Sequence, residues 1–146
     1  MSTRCFIGIN MPSHHIHGVY CHSDGGPEGV GKVLLEHYQN PEKVRRLIEH
    51  GDISVLGPEI GERHDFDNPS AGQTTFFARD RGEESEPDVY ETDDQFLEDA
   101  RGSDAAFVYL FDRHRWLVRY PGTGRHGYGP WMNLEAVSGA ADMPID

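Results

Sequence analysis

Residues 16–38, Ile16-His17-Gly18-Val19-Tyr20-Cys21-His22-Ser23-Asp24-Gly25-Gly26-Pro27-Glu28-Gly29-Val30-Gly31-Lys32-Val33-Leu34-Leu35-Glu36-His37-Tyr38, change hydrophobic period halfway along. From Ile16 to His22 side chains alternate, Ile16-Gly18-Tyr20 against His17-Val19-Cys21, which is the period of a strand. Ser23-Asp24-Gly25-Gly26 breaks that pattern. Pro27 then suits the first turn of a helix over about 27–38, whose apolar face is Val30, Val33, Leu34 and Tyr38. A strand feeding a helix across a glycine turn predicts a mixed chain.

The flanks extend this reading. Arg4 to Ile9 alternates Cys5-Ile7-Ile9 with Phe6-Gly8-Asn10, and Pro12-Ser13 lies in the turn that follows, so the first two strands read as an antiparallel hairpin. Asn40 is placed to cap a second helix, with Pro41 and Glu42 in its first turn, Val44, Leu47 and Ile48 on one face, and Gly51 as its left-handed stop. Residues 52–73 read as an irregular excursion anchored by Ile53, Leu56 and Phe66, a length usually associated with function. Thr74 to Ala78 reads as a strand with Phe76 and Phe77 on opposite faces, followed by Arg79-Asp80-Arg81-Gly82-Glu83 and a charged loop, 82–91. Thr92 or Asp93 caps a short helix carrying Phe96 and Leu97. Ala105–Phe111 and Arg115–Tyr120 form a second hairpin around Asp112-Arg113-His114. Gly122–Pro130 is a loop, and Trp131–Val137 is a last strand or helical turn. The expected fold is α+β: an antiparallel sheet with two helices after the first hairpin and a third short helix, forming one domain over 1–138 with an acidic tail at 139–146.

The 146 residues carry 25 acids against 13 bases, a formal net charge of -12. Duplex nucleic acid is excluded as a partner, because its binders need a basic stripe to displace phosphate counterions. The acidity is uneven: residues 79–104 hold 11 acids and 3 bases. A few arginines can still hold a small anion elsewhere. No stretch approaches the ~20 apolar residues of a membrane span. The first ten residues offer too short an apolar run for a secretory signal, so the expectation is cytoplasmic. Cys5 and Cys21 are too few for a zinc cluster or disulfide framework and read as core thiols.

Several constellations invite chemistry. His14, His15, His17 and His22 cluster but match no spaced metal motif, so no metal is expected. His22 and Asp24 suit either an acid–base pair for phosphodiester hydrolysis or a packed strand end beside a turn. Arg79 and Arg81, two apart on an extended chain, would share one sheet face with Phe77; arginine forks suit phosphate, and the ring suits a base. The alternative is a structural ion-pair network with Asp80, Glu83 or Glu84. Asp67-Asn68 in the turn before Pro69 offers groups to sugar hydroxyls or base edges. Gly25-Gly26-Pro27 before a helix is a candidate anion cradle. No nucleophile elbow or other catalytic set is present.

The run Gly18 to Tyr38 resembles a widespread family of small phage and prophage proteins, whose usual form has Tyr-Cys-His-Trp-Asp-Gly-Tyr-Pro where this chain has Tyr20 to Pro27. Further blocks are similar in the same order: Lys43-Val44 through Gly51 to Gly57, then Phe66 to Pro69, Arg79 to Glu83, and Val108 to Phe111 before Trp116 and Val118. Together they cover about residues 4–120. The pattern is similar to the first family of Thoeris anti-defence proteins of phages. That resemblance implies a non-enzymatic sponge that holds intact the cyclic ADP-ribose isomer made by a bacterial TIR immune enzyme. It also implies, for some members, a cyclic oligonucleotide at a separate site, and homodimers that can build hexamers. Ser23 and Gly26 replace the family's tryptophan and tyrosine, a departure that bears on pocket or assembly. Such a ligand presents phosphates, riboses and an adenine, so the candidate binding residues are Arg79, Arg81, Arg119, Phe77, Asp67 and Asn68, with His22 and Asp24. No cofactor and no catalytic residue is implied. The rivals are a phosphodiesterase working through His22 and Asp24, and an acidic protein that blocks a host partner.

Overall fold

The computed structural model describes residues 3–137; the acidic tail expected at 139–146 lies outside them. In chain order the elements are β1 (Cys5–Asn10), β2 (Ile16–Cys21), a π-helical turn (Pro27–Gly31) running into α1 (Lys32–His37), α2 (Pro41–Glu49), β3 (Ile53–Val55), β4 (Thr75–Phe76), α3 (Phe77–Arg81), β5 (Asp88–Tyr90), α4 (Asp93–Gly102), β6 (Phe107–Asp112), β7 (Arg115–Arg119), a 3-10 turn (Arg125–Gly127) and β8 (Met132–Asn133). The fold is α+β. One eight-stranded sheet runs β4-β3-β2-β1-β6-β7-β8, with β5 added to the free half of β2.

Five of the seven strand pairings are antiparallel, the β1–β2 hairpin in the expected register with Cys5 opposite Cys21 and Gly8 opposite Gly18. The other two, β1–β6 and β2–β3, are parallel, a correction to a wholly antiparallel sheet. The reason lies in the connections. Strands β2 and β3 are joined over the sheet by the π turn, α1 and α2, and a crossover of that length returns the chain in its original direction.

The period-two alternation sorts β1 and β2 onto two cores. Cys5, Ile7, Ile9, Val19 and Cys21 face α1 and α2, whose Val30, Leu34, Tyr38, Val44, Leu47 and Ile48 are buried as the 3.6 period predicts. Phe6 and Ile16 face α4, whose Phe96, Leu97 and Ala100 close the second face with Val108, Leu110 and Tyr128. Buried polar atoms find partners here: Trp116 Nε1 donates to the Tyr38 carbonyl at 2.9 Å and Tyr109 Oη to the Gly25 carbonyl at 2.7 Å. The caps are also as read. Asn40 accepts from the Glu42 N–H, Gly51 has φ +83°, and Thr92 accepts from the Gln95 N–H. No helix among the described residues is long and apolar enough to cross a membrane.

Two expectations on the β4 side need correcting. The strand read over Thr74–Ala78 stops at Phe76, where the chain turns into α3. The cause is Asp80, whose buried carboxylate reaches back to the Phe76 N–H at 2.8 Å, while Gly82 ends the turn at φ +75°. The charged loop 82–91 is not wholly irregular either, since Asp88–Tyr90 pairs with β2.

Candidate functional site

The end of the sheet where β2 gives way to β3 carries the excursion 56–73, and specific bonds hold it in place. The Tyr38 hydroxyl donates to the Gly57 carbonyl at 2.7 Å, Lys43 Nζ to the Pro58 carbonyl at 2.8 Å, and the Thr74 hydroxyl to the Glu59 carbonyl at 3.0 Å. Burial pushes the Tyr38 hydroxyl up to about 12, so at neutral pH it remains a donor.

Arg79 completes the anchorage. Its NH1 donates to the Ile60 and Gly61 carbonyls at 2.9 and 3.0 Å, its NH2 to the Thr74 carbonyl at 2.7 Å, and its Nε and NH2 to the two Asp80 oxygens at 2.9 and 3.1 Å. All five donors of the fork are spent on the protein. Asp80 in turn accepts from the backbone N–H of His64 at 3.1 Å and of Phe76. Burial alone would raise the Asp80 carboxyl; the Arg79 fork, these two N–H donors and the Arg79 charge outweigh it and hold the group below its ordinary value. The guanidinium also lies 4.7 Å over the Phe76 ring, which stacks on its other neighbour, His50, at 4.6 Å. Arg79 is therefore a structural clamp.

Arg81 differs in every respect. Because α3 is helical, residues two apart diverge by roughly 200° around the axis, so Arg79 and Arg81 do not share a face. Arg81 is half exposed, pairs through Nε with Glu83, and lies 4.5 Å over the Phe66 ring and 5.3 Å from the Phe77 centroid. Phe66 and Phe77 are themselves stacked, 5.6 Å apart and tilted by 40°. The two terminal nitrogens of Arg81 have no hydrogen-bond partner among the described residues. The result is a surface platform of two rings and a guanidinium with donors to spare. Asp67 and Asn68 follow Phe66 directly and are exposed; the turn they occupy is made by Asp65, whose carboxylate accepts the Asp67 N–H.

Beside the Arg79 clamp, between α2 and residues 59–61, lies a cavity of about 540 Å³ whose charged lining is Lys43, Arg46, Glu49 and Glu59, with His50. Burial, then the Arg79 charge, lowers the His50 ring below its ordinary value, so it is neutral at pH 7. Arg46 is the exposed cation of this groove.

The remaining candidates lie elsewhere. Arg119 belongs to the α4 face, over the Trp131 ring at 4.6 Å, with NH1 on the Gly129 carbonyl at 2.7 Å. His22 Nδ1 is 2.8 Å from the Tyr20 hydroxyl, and the Asp24 side chain makes no hydrogen bond to it; Asp24 sits at φ +54° with its carbonyl accepting the Val30 N–H. The acid–base pair does not form. In the turn Gly25-Gly26-Pro27 the Gly25 N–H donates to the Thr3 carbonyl, and the Gly29 and Gly31 N–H groups donate to the Gly26 carbonyl. Among the described residues no three His, Cys, Asp or Glu side chains converge as metal ligands.

So the structure joins Phe77 and Arg81 with the Phe66–Asn68 loop, and separates Arg79 in role and Arg119, His22 and Asp24 in place. Sequence reading missed that Phe66 stacks on Phe77; the ion-pair alternative it held open is the one that forms, Arg79 with Asp80 and Arg81 with Glu83. An acid between two arginines just before a glycine was the available sign of a turn. The chain matches no protein-family model, no curated protein and no solved structure.

Proposed function

We propose that the protein is a non-catalytic binder that sequesters an anionic, nucleobase-bearing small molecule on the Phe66–Phe77–Arg81 platform. The observation that carries this is the Arg81 guanidinium, held over two stacked rings with both terminal nitrogens unpaired among the described residues. The half-buried rings of Phe66 and Phe77 offer stacking that tolerates any base, and the terminal nitrogens of an arginine take phosphate in a bidentate contact. Asp67 and Asn68 supply acceptors and donors for ribose hydroxyls at the platform's edge.

The narrower reading, a cyclic ADP-ribose isomer made by a TIR immune enzyme and held intact in a phage-infected bacterium by a homodimer, is supported by the ordered sequence blocks alone. Two of these blocks hold platform residues, Phe66–Pro69 and Arg79–Glu83. The test is to incubate the full chain with cyclic ADP-ribose isomers and cyclic di- and trinucleotides, remove free ligand, denature by heat, and identify the released molecule by mass spectrometry. An intact nucleotide released in stoichiometric amount is the expected result. A cleaved product would replace sequestration by phosphodiester hydrolysis, and no retained nucleotide would overturn the binding reading.

A further inference from the structure

The chain holds two cysteines, Cys5 and Cys21, and the β1–β2 register sets them directly opposite one another. Neither has any exposed surface, and both lie in the core that α1 and α2 cover. Directly opposed residues of an antiparallel pair hold their Cα atoms about 4.5–5.5 Å apart with their side chains on one face. A disulfide spans Cα separations of about 4.4–6.8 Å, so the backbone already has the spacing that the bond requires. The thiols are neighbours as well. Burial, then the hydrogen bond and charge of the Cys21 thiol, push the Cys5 thiol well above its ordinary value, and Cys21 Sγ donates to the Ser23 carbonyl at 3.8 Å.

The pair sits at the open end of the hairpin. Cys5 is the first residue of β1, and the backbone just before it is held by two hydrogen bonds of 2.8 Å, from the Gly25 N–H to the Thr3 carbonyl and from the Ala106 N–H to the Arg4 carbonyl. The Ser23–Gly26 turn lies over the sulfur-bearing side chain, so close that a Cβ on Gly25 would stand 2.9 Å from Cys5 Cβ. A strand end and a turn are parts of a fold that open locally at a fraction of the global unfolding free energy. Cys21 is flanked on its other side by β3, with Ile53 as register partner, so fraying uncovers Cys5 first.

We propose that Cys5 and Cys21 are a redox-active pair that closes to an intramolecular disulfide, with a small disulfide, glutathione disulfide, as the electron acceptor. The uncovered Cys5 thiol gives its proton to solvent, and its thiolate attacks one sulfur of the oxidant. A mixed disulfide forms and one glutathione thiolate leaves. As the strand closes, the Cys21 thiolate, its proton also lost to solvent, attacks Cys5 Sγ; the Cys5–Cys21 bond forms and the second glutathione thiolate leaves with the electron pair of the broken bond. Two cysteine thiols are oxidised and one external disulfide is reduced to two thiols. The new bond closes a loop of about 15 residues and restricts the unfolded chain, so the oxidised form is the more stable one. It staples β1 to β2 between β3 and β6, inside the sheet and independently of the Arg81 platform.

The test equilibrates the full chain in reduced and in oxidised glutathione, alkylates free thiols in denaturant, and weighs the products by intact mass spectrometry. A parallel sample is refolded from urea in each buffer, which removes any limit set by access to the buried pair. In the oxidised buffer the parent is expected to lack the mass of two hydrogens, to take up no alkylating agent, and to melt about 6–12 °C above the reduced form. Dithiothreitol should reverse all three. Cys21→Ala should show no rise in melting temperature between the two buffers. Two alkylated thiols in the refolded parent, glutathione retained on it, disulfide-linked dimers, or an oxidised form that melts no higher than the reduced one would overturn the proposal.

Discussion

The Phe96 ring occupies the place where a side chain on Gly18 would stand: a Cβ there would lie 2.6 Å from Phe96 Cε1. Across the hairpin, a Cβ on Gly8, the register partner of Gly18, would lie 2.8 Å from Phe96 Cζ. Helix α4 thus seats its one fully buried aromatic ring in a notch made by two facing glycines, and this locks α4 against the sheet.

Gly18→Ala forces a backbone or ring shift in a packed core, and overpacking of this kind costs about 1–3 kcal/mol. A Cβ on Gly102, at the end of α4, would meet nothing within 4 Å, and its φ is not left-handed, so Gly102→Ala should be neutral or stabilise by up to ~1 kcal/mol through the unfolded chain. Urea denaturation of the two variants measures both; equal stabilities would remove the notch.

Arg79 and Arg81 should separate stability from binding. Asp80 has no exposed side-chain surface and its charge is balanced by Arg79, so Arg79→Ala leaves a buried carboxylate unpaired, at a cost of roughly 3–5 kcal/mol. Arg81→Ala removes an exposed pair worth at most ~1 kcal/mol. Denaturant midpoints test this, with Arg79→Ala far below the parent and Arg81→Ala close to it.

Asp80 also sets the acid limit. Its carboxyl is held below the ordinary 3.8 in the folded state, so the unfolded chain takes up its proton first as pH falls. Its contribution is fully present above the ordinary value and is lost as pH drops through the lower folded value. Stability measured between pH 5 and 2 should fall steeply in the parent and more shallowly in Asp80→Asn, which starts from a lower stability.

Asp52 behaves in the opposite sense. Burial, assisted by the charges of Asp88 and Asp99, raises its carboxyl above 3.8 against the pull of the Tyr20 N–H, which it accepts at 2.9 Å. Ionisation is then penalised in the folded state, so the penalty grows as pH rises through the unfolded value and is complete above the folded one. Asp52→Asn keeps an acceptor for Tyr20 and should be more stable than the parent at pH 7, with the advantage vanishing below pH ~4. An unchanged difference across pH would refute this.

Much of this architecture is legible in the chain because its signals are local. The period change across Gly18–Tyr38 places β2 and α1, Asn40 and Gly51 bracket α2, and Thr92 caps α4, each by rules confined to one turn. What escaped local reading depends on distant partners. Residues 75–81 have strand-like aromatics, yet Asp80 turns the chain because it finds His64 and Arg79. Strand β5 is short and its Val89 is 59% exposed, so only the vacant edge of β2 reveals it. At the site, Phe77 and Arg81 were readable as a pair; that Phe66, eleven residues earlier, would join them was not. The roles of Arg79 and Arg81, alike in sequence, diverge because one fork is buried among carbonyls and the other is not.

Sequestration on the platform is tested most simply by mass spectrometry of the nucleotide retained by the parent and by Arg81→Ala after the same incubation with cyclic ADP-ribose isomers and cyclic oligonucleotides. An intact nucleotide in stoichiometric amount is expected on the parent and at most a tenth of that on the variant, with both proteins equally folded. Equal retention by the two, or none by either, would contradict a binding role for the Arg81 fork.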